Sequence, residues 1–243
     1  PGGRGGGGRG GAPTLRPEWP PGAPAAATDP AKNGGFRPEV LPQALPPGEV
    51  RAVPVQGNVY LIVGAGSNIA VQVGEDGVLV VDTGAAGQTD RVLAAIREVA
   101  PPDKEIRWVV NTTMRPDHTA GNEGVAKAGR TVNGNIAAVV AHENAAARMI
   151  EAGVPDAGRP YNTYFEAGRD FPFNGEPVVL YHPAAATTDT ETLVFFRRSD
   201  VVVTGDTFST ETYPVSDVAH GGSVQGTNDA LNHVLSLTVP SKA

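Results

Sequence analysis

The side chains best suited to chemistry in this chain are two aspartates and a histidine that follow apolar runs. Asp117 and His118 are adjacent and come soon after the strand predicted from Ile106 to Asn111. Asp206 follows the strand predicted from Val201 to Thr204. Because the chain has no cysteine, any metal ion must be held by His, Asp or Glu. Carboxylate and imidazole side chains of this kind can bind a metal ion or pair with one another as charges.

The segment from Asn111 to Asn122 resembles the metal loop of the metallo-β-lactamase superfamily. That loop carries His-x-His-x-Asp-His, followed by a turn that contains Thr, Gly and Asn. The residues that match it are Asp117, His118, Thr119, Gly121 and Asn122. Thr113 and Arg115 stand where the family has its first two histidines.

Three further segments extend this resemblance over roughly residues 53–243. Residues 78–84 match the family's apolar strand that ends in Asp-x-Gly. Residues 187–192 resemble the later His-Thr-x-Gly-Asp segment, with Thr187 in place of the histidine. Residues 204–206 match the strand end that supplies a bridging aspartate.

The resemblance implies an α/β fold, an αββα sandwich of two mixed sheets with helices on the outer faces. Members of the family hold zinc between the sheets and use a metal-bound hydroxide as nucleophile. The metal lowers the pKa of its water from about 15.7 to about 7. By this resemblance Asp117, His118 and Asp206 are metal ligands, and Asp117 also has a catalytic role. Asp82 is expected to brace the metal loop through hydrogen bonds.

The resemblance also implies that the first metal site is lost. Its three histidines are replaced by Thr113, Arg115 and Thr187. A threonine hydroxyl is a poor zinc ligand beside imidazole, and guanidinium is a permanent cation without a lone pair. The family's last histidine has no counterpart, because no histidine follows His233. At most one zinc ion is therefore expected, weakly held.

Two functions remain open at this point. In the first, the chain is a hydrolase with one metal that acts on a lactam, thioester, lactone or phosphoester. In the second, it is a catalytically inactive relative, and Arg115 and protonated His118 neutralise Asp117 and Asp206 without a metal. The charge of Arg115 would then make the old site a pocket for an anionic ligand.

Alternating and helical apolar patterns supply the elements that must position these residues. The predicted strands are Asn58–Val63, Ser67–Val73, Val78–Asp82, Ile106–Asn111, Val178–Tyr181, Thr192–Phe196 and Val201–Thr204. The predicted helices are Gln88–Val99, one that begins near Ala120 and Asn122, Ala141–Ala152, and Gly226–Leu237.

The other four histidines are given structural roles. His142 and His220 are expected to cap helices or to face solvent, and His233 to lie on a helix surface. His182 precedes Thr187 by five residues, but Pro183 and its strand position argue against its replacing the missing imidazole.

Composition limits the partners of the chain. A net charge of -7 argues against a nucleic-acid partner for the folded part, because that binding draws on lysine and arginine. No apolar run approaches the ~18 residues that would predict a membrane span. A small molecule is the expected partner.

Residues 1–50 are rich in Gly, Arg and Pro and are predicted to be a disordered arm. Residues 51–243 are predicted to form one metallo-β-lactamase-like domain without the family's last strand and helix. Arg4 and Arg9 among glycines suggest either an RNA-binding tract or a linker near an export signal, and we favour the linker. The first residue, Pro1, permits a removed signal peptide, so a periplasmic or secreted location is expected.

Overall fold

A computed structural model describes residues 46, 48–210 and 212–238. The predicted arm lies outside the described residues except for its last few positions. Among the residues that are described, no helix is long and apolar enough to cross a membrane.

The first sheet has seven strands, arranged in the order in which they occur along the chain. They are β1 (Arg51–Gln56), β2 (Val59–Ala65), β3 (Ser67–Gly74), β4 (Gly77–Val81), β5 (Ile106–Val110), β6 (Ala138–His142) and β7 (Asn162–Tyr164). Strands β1 to β4 pair antiparallel, because short turns join them. Strands β4 to β7 pair parallel, because helical connections return the chain to the same end.

The second sheet has four strands in the order β11-β10-β9-β8. They are β8 (Gly168–Phe173), β9 (Glu176–Tyr181), β10 (Leu193–Phe196) and β11 (Val201–Val203). All of its described pairs are antiparallel, so only the first of the two sheets is mixed.

Helices lie on the outer faces of the two sheets, and this confirms the expected αββα sandwich. The helices are α1 (Thr89–Val99), α2 (Pro116–Thr119), α3 (Asn122–Ala128), α4 (Glu143–Glu151) and α5 (Val224–Thr238). Helices α1, α3 and α4 pack on the first sheet. Helix α5 reaches the second sheet through His233, whose ring lies 4.6 Å from that of Tyr181 in β9.

Strand β4 shows how the sequence builds the two layers of core. Val78 and Val80 belong to the cluster between the first sheet and its helices. Leu79 and Val81 belong to the cluster between the two sheets. Because successive side chains of a strand point to opposite faces, an uninterrupted apolar run is what a strand covered on both faces needs.

One predicted helix begins too early. The helix predicted over Ala141–Ala152 is in fact the end of β6 followed by α4. Ala141 and His142 pair with β7, and the helix begins where His142 Nδ1 accepts a hydrogen bond from the backbone of Asn144 at 3.3 Å. Strands β1, β6, β7 and β8 were not predicted. Proline, glycine and charged residues interrupt the apolar residues of β1 and β8, and β7 has only three residues.

Candidate functional site

The site lies at the edge of the sandwich where β4, β5, β9 and β11 end and β10 begins. The parallel strands β4 and β5 place Asp82 and Thr112 side by side. The backbone N–H of Thr192, just before β10, donates to the carbonyl of Thr112 at 2.7 Å. This bond joins the two sheets at the site.

Asp82 accepts hydrogen bonds from the loop after β5. Its Oδ1 accepts the backbone N–H of Thr112 at 2.8 Å, and its Oδ2 accepts the Thr112 hydroxyl at 2.6 Å. The same Oδ2 lies 2.7 Å from His118 Nδ1. The backbone of Asp82 has a positive φ of 65°, which is uncommon outside glycine. These bonds explain why the carboxylate is held in one orientation.

A pair of asparagines fixes the two ends of this loop. Asn111 and Asn122 exchange hydrogen bonds through their side-chain amides at 2.9 and 2.8 Å. Thr83 reinforces the turn, because its backbone N–H donates to the carbonyl of His118 at 2.7 Å. Asn122 of the motif therefore has a structural task in the loop.

His118 lies between two carboxylates. Its Nδ1 faces Asp82, and its Nε2 lies 3.1 Å from Asp206 Oδ1. Burial of the ring lowers its pKa, but the charge of Asp82 and the contacts with Asp206 outweigh burial and raise the pKa to about 11. A doubly protonated ring that donates to both carboxylates is therefore favoured at neutral pH.

Asp206 is shared between His118 and Arg115. Its Oδ2 lies 3.2 Å from Arg115 Nε, an ionic contact whose alignment does not make a hydrogen bond. Burial works to raise the pKa of Asp206, but the bond and charge of His118 and the charge of Arg115 leave it lowered. Asp117 stands further out, with its side chain 53% exposed and Oδ2 3.9 Å from His118 Nε2. The structure therefore brings Asp206 and His118 together and leaves Asp117 at the rim.

The two threonines at histidine positions bind a glutamate. The hydroxyls of Thr113 and Thr187 donate to Glu191 Oε1 at 3.2 and 2.7 Å, and that of Thr188 does so at 2.9 Å. All four residues are buried. Glu191 belongs to the segment that follows Thr187, but no role for it was predicted.

The other oxygen of Glu191 has no such support. Oε2 is buried and has no hydrogen-bond partner among the described residues. Burial raises the pKa of Glu191 to about 7, because desolvation outweighs the three hydroxyl bonds. A sequence signal for this network does exist, since Glu191 stands among four threonines directly before an apolar strand.

The side chains predicted as metal ligands are Asp117, His118 and Asp206, and among the described residues they do not form a three-ligand group. Within the described part of the chain, no three His, Asp or Glu side chains are grouped in a way that could hold a metal ion. His182 is not directed at this site as a replacement ligand, because its ring stacks on His142 with centroids 3.5 Å apart and its Nδ1 bonds the carbonyl of Glu191. His142 is buried and caps the N-terminus of α4. His233, on α5, is half-buried and its ring lies against Tyr181 of β9.

Comparison with known proteins agrees with this fold. A sequence model described as the metallo-beta-lactamase superfamily matches residues 52–240. No curated protein matches the chain at a significant level. Because the family model matches most of the sequence, the chain belongs to the metallo-β-lactamase superfamily.

Solved structures of this superfamily have a similar fold at low sequence identity. A metallo-beta-lactamase from Pontibacter korlensis is 16% identical with a TM-score of 0.62, over 77% of this chain and 85% of that one. The DIM-1 metallo-beta-lactamase is 15% identical with a TM-score of 0.63, over 77% and 84% of the two chains. A Cronobacter sakazakii metallo-beta-lactamase with a HARLDQ motif is 16% identical with a TM-score of 0.58, over 78% and 75%. Membership supports a hydrolase-like function on a small molecule.

Proposed function

We propose that this chain is a metallo-β-lactamase-fold protein whose site binds a small molecule without zinc. The observation that carries this proposal is the Glu191 carboxylate held by Thr113 and Thr187. In this family those two positions belong to ligands of the first metal. Here the hydroxyls are committed as donors to a carboxylate within the protein.

The chemistry of the remaining residues supports the same conclusion. Arg115, at the third of these positions, places its cation 3.2 Å from Asp206, where it would repel a metal. Both ring nitrogens of His118 face carboxylates, so neither is directed at an open metal position. The residues present do not fit the family's first zinc ion, and no step of the proposed function passes through a metal.

The charges of the site do not favour an anionic ligand. Arg115 was expected to attract one, but its charge is shared with Asp206. Asp82, Asp117 and Asp206 already outnumber the two cations, and Glu191 adds a further acid. We therefore propose a neutral small molecule, in the size class of the lactams, lactones and thioesters on which the family acts.

Elemental analysis tests the proposal most directly. We expect purified protein to contain less than about a tenth of an equivalent of Zn, Mn or Fe, and to gain none on dialysis against the metal. The matched variant carries Thr113→His, Arg115→His and Thr187→His together, and it should gain zinc affinity. Stoichiometric zinc in the unmodified protein would contradict the proposal.

Ligand binding tests its second half. Metal-free protein should melt at a higher temperature in the presence of a neutral lactam, lactone or thioester, because a ligand that binds only the folded state stabilises it. A phosphoester provides the anionic comparison. If the melting temperature rose with the phosphoester alone, and Arg115→Ala abolished that rise, the site would bind anions and the neutral ligand would be wrong.

One observation favours a second candidate, a hydrolase with a single zinc. The contact between His118 Nδ1 and Asp82 is an arrangement that commonly orients a ligand histidine, and Nε2 faces Asp206. In that candidate Asp117, His118 and Asp206 would hold the metal and its water would be the nucleophile. Activity that a chelator abolishes and zinc restores would select this candidate over the first.

A further inference from the structure

A turn that carries Asp217 and His220 borders the site. The backbone N–H of Asp217 donates to the carbonyl of Thr187 at 2.7 Å, and that of Asp189 donates to the carbonyl of His220 at 2.9 Å. The turn is therefore bonded at both ends to the loop that holds Glu191. At Gly222 a Cβ atom would lie 2.1 Å from the carbonyl of Thr187, so the two backbones are in direct contact.

Asp217 and His220 form a dyad whose imidazole has one free nitrogen. His220 Nδ1 lies 2.7 Å from Asp217 Oδ2. An ionised carboxylate only accepts hydrogen bonds, so Nδ1 carries the proton and neutral His220 has its lone pair on Nε2. Nε2 has no hydrogen-bond partner among the residues that the structure describes, and the side chain is 43% exposed. His118 differs, because both of its nitrogens face carboxylates.

The dyad lies within the electrostatic reach of Arg115. The hydrogen bond from His220 is the main reason that the pKa of Asp217 is lowered, and the charge of Arg115 contributes to the same effect. A carboxylate that stays ionised keeps the imidazole in one tautomer. The charge of Arg115 therefore acts on both Asp206 and Asp217.

The segment from Asp206 to His220 exposes large apolar side chains. They are Phe208, Tyr213, Val215 and Val218, which are 55 to 94% exposed. Several exposed apolar residues within one short segment suit a binding surface better than plain solvent contact. A substrate with an apolar body and no charge fits such a surface beside a site that is rich in carboxylates.

We propose that Asp217 and His220 act as a metal-independent general acid–base pair that hydrolyses a neutral carboxylic ester. His220 Nε2 takes a proton from water while the water oxygen bonds to the carbonyl carbon, and the carbonyl electron pair moves to its oxygen. When that pair returns, the bond to the alkoxide breaks and the alkoxide takes the proton from Nε2. One ester and one water give one acid and one alcohol. This inference rests on the proposed binding of a small molecule without zinc.

A purely structural role for the dyad is the competing explanation. Asp217 caps the single helical turn at residues 218–220, since its carboxylate accepts the backbone N–H of His220 at 3.3 Å. Asparagine caps helices about as well as aspartate. Asp217→Asn therefore keeps the cap and removes only the carboxylate that orients the imidazole.

The test uses the full chain, stripped with a chelator and dialysed, with 4-nitrophenyl acetate as probe. We expect hydrolysis that saturates with ester, which separates a binding site from ordinary imidazole catalysis. His220→Gln should lower kcat by about 100-fold or more with KM nearly unchanged, as loss of a general base does. Asp217→Asn should lower kcat by about 10-fold or more. His233→Gln, a histidine on α5 remote from the dyad in sequence, should equal the unmodified protein.

The outcomes separate the two proposals. Metal-free protein without saturable hydrolysis, or full kcat in either dyad variant, overturns the dyad and leaves the zinc-free binding site standing. Hydrolysis that appears only after zinc is added overturns the proposed function itself. If His220→Gln does not fold by circular dichroism, Asp217→Asn decides the matter, because its cap is retained.

Discussion

Two buried glutamates, at opposite edges of the sandwich, differ in how completely their oxygens are bonded. Glu176, at the start of β9, accepts two donors on each oxygen. Oε1 takes the Gln72 amide and the Ser199 hydroxyl, both at 2.6 Å. Oε2 takes the backbone N–H groups of Arg198 and Ser199 at 2.6 and 3.0 Å. Glu191, at the site, has three hydroxyl donors on one oxygen and, among the residues that the structure describes, none on the other.

The difference indicates that Glu176 stabilises the fold, whereas Glu191 belongs to the candidate site. Buried polar groups are nearly always hydrogen-bonded, so a full set of donors needs no explanation beyond folding. Gln72 comes from the first sheet and Glu176 from the second, and their network ties the two layers at the edge away from the site. Glu191 has donors on only one oxygen, and it lies at the edge where the family binds its metal. This edge is therefore the one at which we expect the function.

Loss of Glu176 should have the largest effect on stability. In Glu176→Ala, two backbone N–H groups and the Gln72 amide lose their acceptor in a buried place. We expect the free energy of unfolding to fall by about 3 to 5 kcal/mol, because each stranded group costs about 1 to 3 kcal/mol. Urea unfolding measures the change, and Glu75→Ala at an exposed position provides the control. A loss below about 1 kcal/mol would show that the network is not structural.

Glu191 should reveal itself through pH. Its pKa is about 7 when folded, above the ordinary 4.5. Between these values the folded state binds more protons than the unfolded state, so its contribution is complete below pH 4.5 and is lost as pH rises through 7. Glu191→Gln removes this titration.

We therefore expect the free energy of unfolding of Glu191→Gln to exceed that of the unmodified protein by about 3 kcal/mol at pH 8. At pH 4.5 the two proteins should be about equally stable, because a protonated glutamate and a glutamine are alike in charge and size. Urea unfolding at several pH values measures the difference. Parallel stability curves would mean that Glu191 is not held in a desolvated state.

The fold and half of the site followed from local sequence. Asp82, His118 and Asp206 each end or follow an apolar strand, and strand ends of a sandwich converge at one edge. The family motif therefore points to the same edge without any distance. The boundary between β6 and α4 did not follow, because Ala141 and His142 suit either element and only pairing with β7 decides between them.

The Glu191 network and the dyad depend on contacts between distant segments. Thr113 and Glu191 are 78 residues apart, and neither has a periodic pattern that points to the other. Asp217 and His220 are close in sequence, but only their bonds to Thr187 and Asp189 show which edge they border. Residue spacing in the sequence can predict contacts within one helix or strand. Contacts between the two sheets can be read only from the packed structure.

The smallest expected effects on stability come from removing single hydroxyls that donate to Glu191. Thr113 makes the longest of the three bonds, at 3.2 Å, and Thr187 the shortest, at 2.7 Å. Replacing either by valine keeps the shape and removes one donor of three. We expect Thr113→Val to cost about 0.5 kcal/mol and Thr187→Val about 1 to 1.5 kcal/mol, because the shorter bond to a charged group contributes more. The ordering is best measured above pH 7, where Glu191 is ionised, and the reverse ordering would mean that the carboxylate is held mainly from the side of the first sheet.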